Sequence, residues 1–262
     1  TVSPKLFVLV PPSEAKAPGG VRAARPGAFD ESLHEARERT LAALARLMNA
    51  EPREWEKALR VRGPLLERAL AATELLVERR AYLLPAWRRY TGVVWSHLEP
   101  STLAIGERRR VLVPSGLYGV TTAADPIADY RLRMDVSIMP LGNVAAFWRP
   151  RLSPVIAAHV GKATLVNLLP GQHAAAIDIA TLGKRCRVVD VDFVGADGSG
   201  AAGHDAKAVK GVVARRLLRQ GLASLDDFEW EGWRSEKVGD RVRLRAPRES
   251  IRVRALRRPD VG

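Results

Sequence analysis

Hydroxyl, phenol, glycine and guanidinium groups crowd one stretch of this 262-residue chain. Ser115-Gly116-Leu117-Tyr118-Gly119-Val120 is followed by Tyr130-Arg131-Leu132-Arg133-Met134 and then by Phe147-Trp148-Arg149-Pro150. Polar, aromatic and Gly residues stand where a plain core strand would carry Val or Leu, so the stretch reads as a site. A Ser at a strand end serves as a nucleophile or as a hydrogen bonder, and a Tyr can move a proton. Arg131 can grip a carboxylate or phosphate through paired N–H bonds, or can form a structural ion pair with Asp125 or Asp129. In a strand Tyr130 and Arg131 would face opposite sides, so only one would line a given cleft. No Gly lies two before Ser115, so this is not a nucleophile elbow. The G-x-x-x-x-G-K-[ST] phosphate loop is also absent.

A second set of groups lies downstream. Lys207 and Lys210 are three apart on an expected helix and share a face, with Arg215 further along. Near a helix start they suit an anion, and the alternative is a solvated basic face. His204-Asp205 is a possible acid/base pair, although adjacency in sequence does not make a dyad. The histidines lack H-x-x-x-H spacing and Cys186 is the one cysteine, so neither a metal site nor a disulfide framework is expected. Cys186 reads as a small core residue, with a redox role as the alternative. No cofactor is expected.

The elements that must position these groups are short strands separated by helices. Residues 1–10 read as a strand and 11–30 as a Pro/Gly-rich loop. Asp30 reads as the cap of an amphipathic helix, and Glu51–Arg60 and Pro64–Glu78 read as two more. Val111–Val113 is a short buried strand and Tyr130–Met134 an extended segment. Ala145–His159 is a Pro-interrupted helix, and Thr164–Leu169 and Cys186–Val194 are strands. Asp205–Gln220 is a basic helix, and Trp230–Trp233 and Val238–Leu244 are closing strands. The expected class is α/β (mixed α+β), as one domain over 1–262 with a helical insertion over roughly 30–110.

The net charge of +13 favours polyanions: nucleic acid, an anionic surface or phosphorylated ligands. Arg and Ala richness of the kind a high-GC genome produces is the bland alternative. No apolar run is long enough to span a membrane, and the N-terminal apolar run is too short for a signal peptide, so a cytoplasmic location without membrane contact is expected. Leu169-Pro170-Gly171-Gln172-His173 looks in part like the hairpin of a helix-hairpin-helix DNA module, but His173 stands where a second Gly is usual.

Pro11-Pro12-Ser13-Glu14-Ala15-Lys16, Tyr90-Thr91-Gly92, the Ser115–Val120 and Tyr130–Met134 blocks, Phe147–Pro150 and Lys207-Ala208-Val209-Lys210-Gly211 together resemble the YaaA family of peroxide-stress proteins. The likeness in order and spacing runs over nearly the whole chain. It implies a family-specific α/β fold with a mixed sheet flanked by helices, a positively charged cleft, and binding of DNA, with Tyr90-Thr91-Gly92-Val93 fitting a helix-hairpin-helix-like element. Two segments depart from the family pattern, Asn167–His173 and Ser199–Asp205. They suggest a divergent member recruited to other chemistry, for instance in secondary metabolism. Two functions are therefore carried forward. One is DNA binding through the cleft. The other is an enzyme of secondary or nucleotide metabolism acting on a small anionic or nucleotide-like substrate. Candidate catalytic residues are Lys16, Ser115, Tyr118, Tyr130 and His204. Candidate anion contacts are Lys16, Arg131, Lys207, Lys210 and Arg215. Ser13, Tyr90, Gly116, Gly119 and Trp148 complete the expected pocket.

Overall fold

Three of the central strands are built from residues that exclude water on both faces. In the computed structural model, which describes residues 5–239 and 241–247, Leu6–Leu9 (β1), Val111–Ser115 (β3) and Thr164–Asn167 (β8) pair in parallel and are almost wholly buried. Such near-continuous apolar strands are what a sheet covered on both faces requires. Arg187–Val194 (β9) and Arg241–Arg245 (β12) extend the parallel set. Gly119–Thr122 (β4) turns back antiparallel on β3 at one edge. At the other edge Glu229–Trp230 (β10) and Trp233–Val238 (β11) form an antiparallel run onto β12. The order across the eight strands is β10-β11-β12-β9-β8-β1-β3-β4.

The remaining elements surround this sheet. Between β1 and β3 come the helices Asp30–Leu47 (α1), Pro52–Leu59 (α2) and Pro64–Val77 (α3), then the short strand Leu83–Pro85 (β2) and the short helices Ala86–Arg89 (α4), Val93–Leu98 (α5) and Ile105–Arg108 (α6). Pro126–Ala128 (β5) pairs with β2, and Ser137–Ile138 (β6) with Gly142–Asn143 (β7). Val144–Val160 (α7) precedes β8. The short helices Gly171–Ala174 (α8) and Ile179–Gly183 (α9) lead to β9, and Gly203–Gln220 (α10) follows it. Helix α7 stays continuous through Pro150 and Pro154.

Several expectations change in detail. Asp30 is the first residue of α1, with Phe29 as its cap, and its carboxylate accepts from Gly27 N–H instead. Cys186 lies just before β9, buried, with its thiol donating to Leu182 O, and burial raises its pKa. The segment 130–134 is irregular chain, not a strand. The closing strands are shifted, with turns at 231–232 and around 239. Residues 248–258, which carry much of the C-terminal basic charge, lie outside the described residues.

The topology itself points to a site. The chain leaves β1 for β3 on one side and later enters β8 on the other. The crevice beyond the carboxyl ends of β1 and β8 is therefore a switch point, where open α/β sheets characteristically bind ligands.

Candidate functional site

At that switch point lies a cleft of about 490 Å³. One wall is the loop after β1, from Pro11 to Lys16. A second is the loop after β8, through Pro170, Gln172 and His173. A third is the start of α10, where Gly203, Ala206, Lys207 and Lys210 face in. The segment from Tyr130 to Asp135 and the start of α5 complete it.

The β1 loop is held by close backbone packing. A Cβ on Gly92 would fall 2.4 Å from Ser13 Oγ, so only glycine lets α5 approach this loop. Trp95 Nε1–H donates to Pro11 O at 3.2 Å, and Thr91 N–H to Ala15 O at 3.2 Å. Arg68 donates to Lys16 O at 2.7 Å. The guanidinium of Arg89, itself buried, donates to the carbonyls of Ala17, Gly19 and Tyr82. Helix α10 packs on α5 at Gly211, where a Cβ would meet Val94 O at 2.3 Å. The lysines of α10 are thereby fixed against the same loop.

Lys16 sits at the floor, 8% exposed. Its ammonium donates to Ser13 O at 3.0 Å and makes a longer contact to Glu14 O at 3.5 Å. Nζ stands 4.3 Å from the centre of the Tyr130 ring and 5.7 Å from that of Tyr90. No carboxylate pairs with it among the described residues. Burial dominates its titration and lowers its pKa to about 7; Asp129 opposes the shift and Arg131 adds to it. Near neutrality Lys16 is thus divided between ammonium and free amine.

Behind Lys16 runs a chain of hydrogen-bonded hydroxyls. The Tyr90 and Tyr130 hydroxyls share a hydrogen bond of 2.9 Å, and Ser115 Oγ donates to Tyr130 Oη at 2.8 Å. Ser115 accepts in turn from Tyr118 N–H at 3.1 Å, and Tyr118 Oη accepts from Ala128 N–H at 2.9 Å. Burial raises the pKa of all three tyrosines, Tyr118 to about 12, so they stay neutral phenols. Gly116 and Gly119 serve the core beside them. Trp148 Nε1–H donates to Gly116 O at 2.8 Å, and a Cβ on Gly119, whose φ is +73°, would lie 2.6 Å from the Trp148 ring.

The cations of the cleft fall into two groups. Arg131 and Arg133 both pair with Glu14, at 2.8 and 2.7 Å, and Arg133 also binds Asp135 at 2.8 Å. The Arg133 hydrogen bond pulls the Asp135 carboxyl down to about 2. Arg131 therefore pairs with Glu14, not with Asp129 or Asp125. Asp129 takes Arg68, and Asp125 accepts from Thr122. Because the segment is irregular, Tyr130 and Arg131 both line the cleft, against the alternation expected of a strand. Lys210 is different: it is 8% exposed and makes no hydrogen bond or ion pair among the described residues, with only the Phe193 ring 4.8 Å from Nζ. Burial, then Lys207, lowers its pKa. Opposite it, burial holds His173 neutral by lowering its pKa to about 4, and its Nδ1 is buried without a partner.

Of the residues singled out in the sequence, Ser13, Lys16, Gly116, Tyr130, Arg131, Lys207 and Lys210 line the cleft. Tyr90, Ser115 and Tyr118 stand one layer behind it, and Gly119 and Trp148 belong to the core. His204 projects outward from α10 with its side chain 71% exposed, and Arg215 pairs with Glu99 at 2.9 Å. Neither lines the cleft. Glu14, Arg133 and Gln172 lie within the quoted blocks and departures, and Asp135 just beyond one of them, and none is among the candidate cleft residues read from the sequence. Glu14 meets Arg131 and Arg133 only through folding, whereas Arg133 and Asp135 are near neighbours of opposite charge and Gln172 carries no charge signal. Among the described residues no cluster of His, Cys, Asp and Glu suits a metal ion, and no helix is long and apolar enough to cross a membrane.

A family model described as peroxide stress protein YaaA matches residues 6–238. The chain is 32% identical to a UPF0246 protein of Streptomyces coelicolor over 228 residues, covering 83% of this chain and 85% of that one. It is 31% identical to a UPF0246 protein of Corynebacterium efficiens over 222 residues, covering 81% and 84%. A match of this extent, over the strands and loops that build the cleft, places the chain in the YaaA family of peroxide stress proteins.

Proposed function

We propose that the cleft binds a small anionic, nucleotide-sized metabolite and that the chain acts on it as an enzyme. The depth of Lys16 carries this reading. A cation buried at the floor of a cavity of about 490 Å³ is placed for a ligand that enters the cavity. Small-molecule sites commonly have volumes of about 300–1,000 Å³. Duplex phosphates instead lie along a convex surface and are met by exposed cations. The Tyr90–Gly92 segment also supports the small-ligand reading. In a hairpin that grips DNA, backbone amides face phosphates; here Thr91 N–H is spent on Ala15 O, and Trp95 and Ser96 N–H on Gly92 O. In this reading Lys207 and Lys210 hold the anion, Arg131 stands beside it, and Lys16 meets the reacting end.

DNA binding through the same face is the second reading, favoured by the net charge of +13 and by exposed Lys207 at the mouth of the cleft. Thermal-shift screening of nucleotides and acidic metabolites, run beside gel shifts with duplex and junction DNA at two salt concentrations, separates the two. Stabilisation by a metabolite that is lost in Lys16→Met supports the enzyme reading. DNA binding that falls steeply with salt and is unchanged in Lys16→Met, with no metabolite effect, supports the second.

A further inference from the structure

We infer that Lys16 forms an imine with an aldehyde or ketone whose phosphate or carboxylate group is held by Lys207 and Lys210. This rests on the reading of the cleft as a small-anion site and names the reactive class of its ligand. Three observations converge. First, Nζ of Lys16 has one short acceptor, Ser13 O at 3.0 Å, and one long contact, Glu14 O at 3.5 Å, so part of its surroundings is open to a ligand that enters the cleft. Second, the amine has no carboxylate partner to hold it charged and is walled by the faces of Tyr130 and Tyr90. Burial without a counter-ion favours the nucleophilic free amine, against the weaker pull of the two ring faces on the ammonium. Third, Lys210 is buried and unpaired among the described residues, yet it lines the same cleft, which gives the ligand a charged anchor at its far end. A further hollow of about 340 Å³ borders Lys16 on the side of Arg68 and Asp129, so the amine stands between two cavities.

The step balances without a redox partner. Nζ adds to the carbonyl carbon, the C–N bond forms, and one N–H proton passes to the former carbonyl oxygen. The carbinolamine hydroxyl then leaves with the second N–H proton as water, breaking the C–O bond and leaving C=N. The tyrosine hydroxyls are engaged with one another and with Ser115, so Tyr130 contributes its ring face to this step.

The test is reductive trapping on the full chain near neutral pH with glyceraldehyde 3-phosphate and cyanoborohydride, the adducts being mapped by peptide mass spectrometry. The result expected is an adduct at Lys16 at least ten-fold above exposed Lys57, Lys162, Lys184 and Lys237. It should fall to their level when glyceraldehyde replaces the phosphate ester, and in Lys210→Ala. Adducts spread evenly, with Lys16 no more reactive than those four, would overturn the inference. Glycerol 3-phosphate, which has no carbonyl, keeps the two readings apart. Stabilisation by it without a Lys16 adduct leaves the anion site standing and removes the imine; absence of both removes the two together.

Discussion

The floor of the cleft and the hydroxyl wall behind it are built from similarly reactive residue types but are finished differently. In the wall, Ser115, Tyr90 and Tyr130 pair through their hydroxyls, Tyr118 Oη accepts from Ala128 N–H, and Leu132 O and Trp148 pack against Gly116 and Gly119. At the floor and on α10, Lys16 and Lys210 are also buried yet have no acidic partner among the described residues. Buried polar groups that are fully paired specify structure. Buried cations without counter-ions are costly to the fold unless a ligand completes them. On the proposed reading, the wall serves structure and the floor serves binding.

Breaking the wall should cost stability first. Trp148→Ala removes a fully buried indole and its bond to Gly116 O, and is expected to destabilise the fold by about 3–5 kcal/mol, read from chemical denaturation. An effect under about 1 kcal/mol would mean the wall is not the core. Tyr130→Phe should cost less, about 1–3 kcal/mol, because it strips partners from buried Ser115 and Tyr90 while keeping the ring face beside Lys16. Trapping at Lys16 should survive it.

Lys16 sharpens the comparison through pH. The groups facing it are Glu14, Asp129, Arg68, Arg131, Tyr90 and Tyr130. Its folded pKa of about 7 lies below the unfolded 10.5, so between those values the unfolded chain binds the extra proton. Stability contributed by this group therefore rises with pH from about 7 to about 10.5 and is missing below that window. Denaturation midpoints of Lys16→Met should lack this rise, and at pH 6 the variant should be more stable than the parent. Equal pH slopes in the two proteins would show that Lys16 is not buried as a cation.

The smallest effect belongs to Glu14, which is half exposed and bridges Arg131 and Arg133. Glu14→Gln should change stability by less than about 1 kcal/mol and raise affinity for glycerol 3-phosphate severalfold by freeing Arg131, as calorimetry would show. Weaker binding would mean that Glu14 orients the arginines for the ligand.

Much of this was legible in the chain. The apolar runs of β1, β3 and β8 and the Pro-started helices α2 and α3 follow from burial and from the tolerance of Pro at a helix start. Lys16, Arg131 and Lys210 could be picked out because their blocks carry the family resemblance. The division between wall and floor was not legible, because Ser115 and Tyr118 look as reactive in sequence as Lys16. Only the partner of each hydroxyl, and the absence of an acidic partner for each lysine among the described residues, separates them. Nor could the pairing of Glu14 with Arg131 and Arg133 be foreseen, since it crosses more than a hundred residues. The irregular path at 130–134 was missed because its apolar alternation imitates a strand.

The most direct test is the titration of Lys16 itself, followed by NMR in protein carrying carbon-13-labelled lysine side chains and assigned with Lys16→Arg. The expected midpoint is near 7 in the free protein, and bound glycerol 3-phosphate should move it upward as an anion enters the cleft. A midpoint near the ordinary 10.5, unmoved by the phosphate, would contradict the assignment of the floor as the reactive, anion-binding part of this fold.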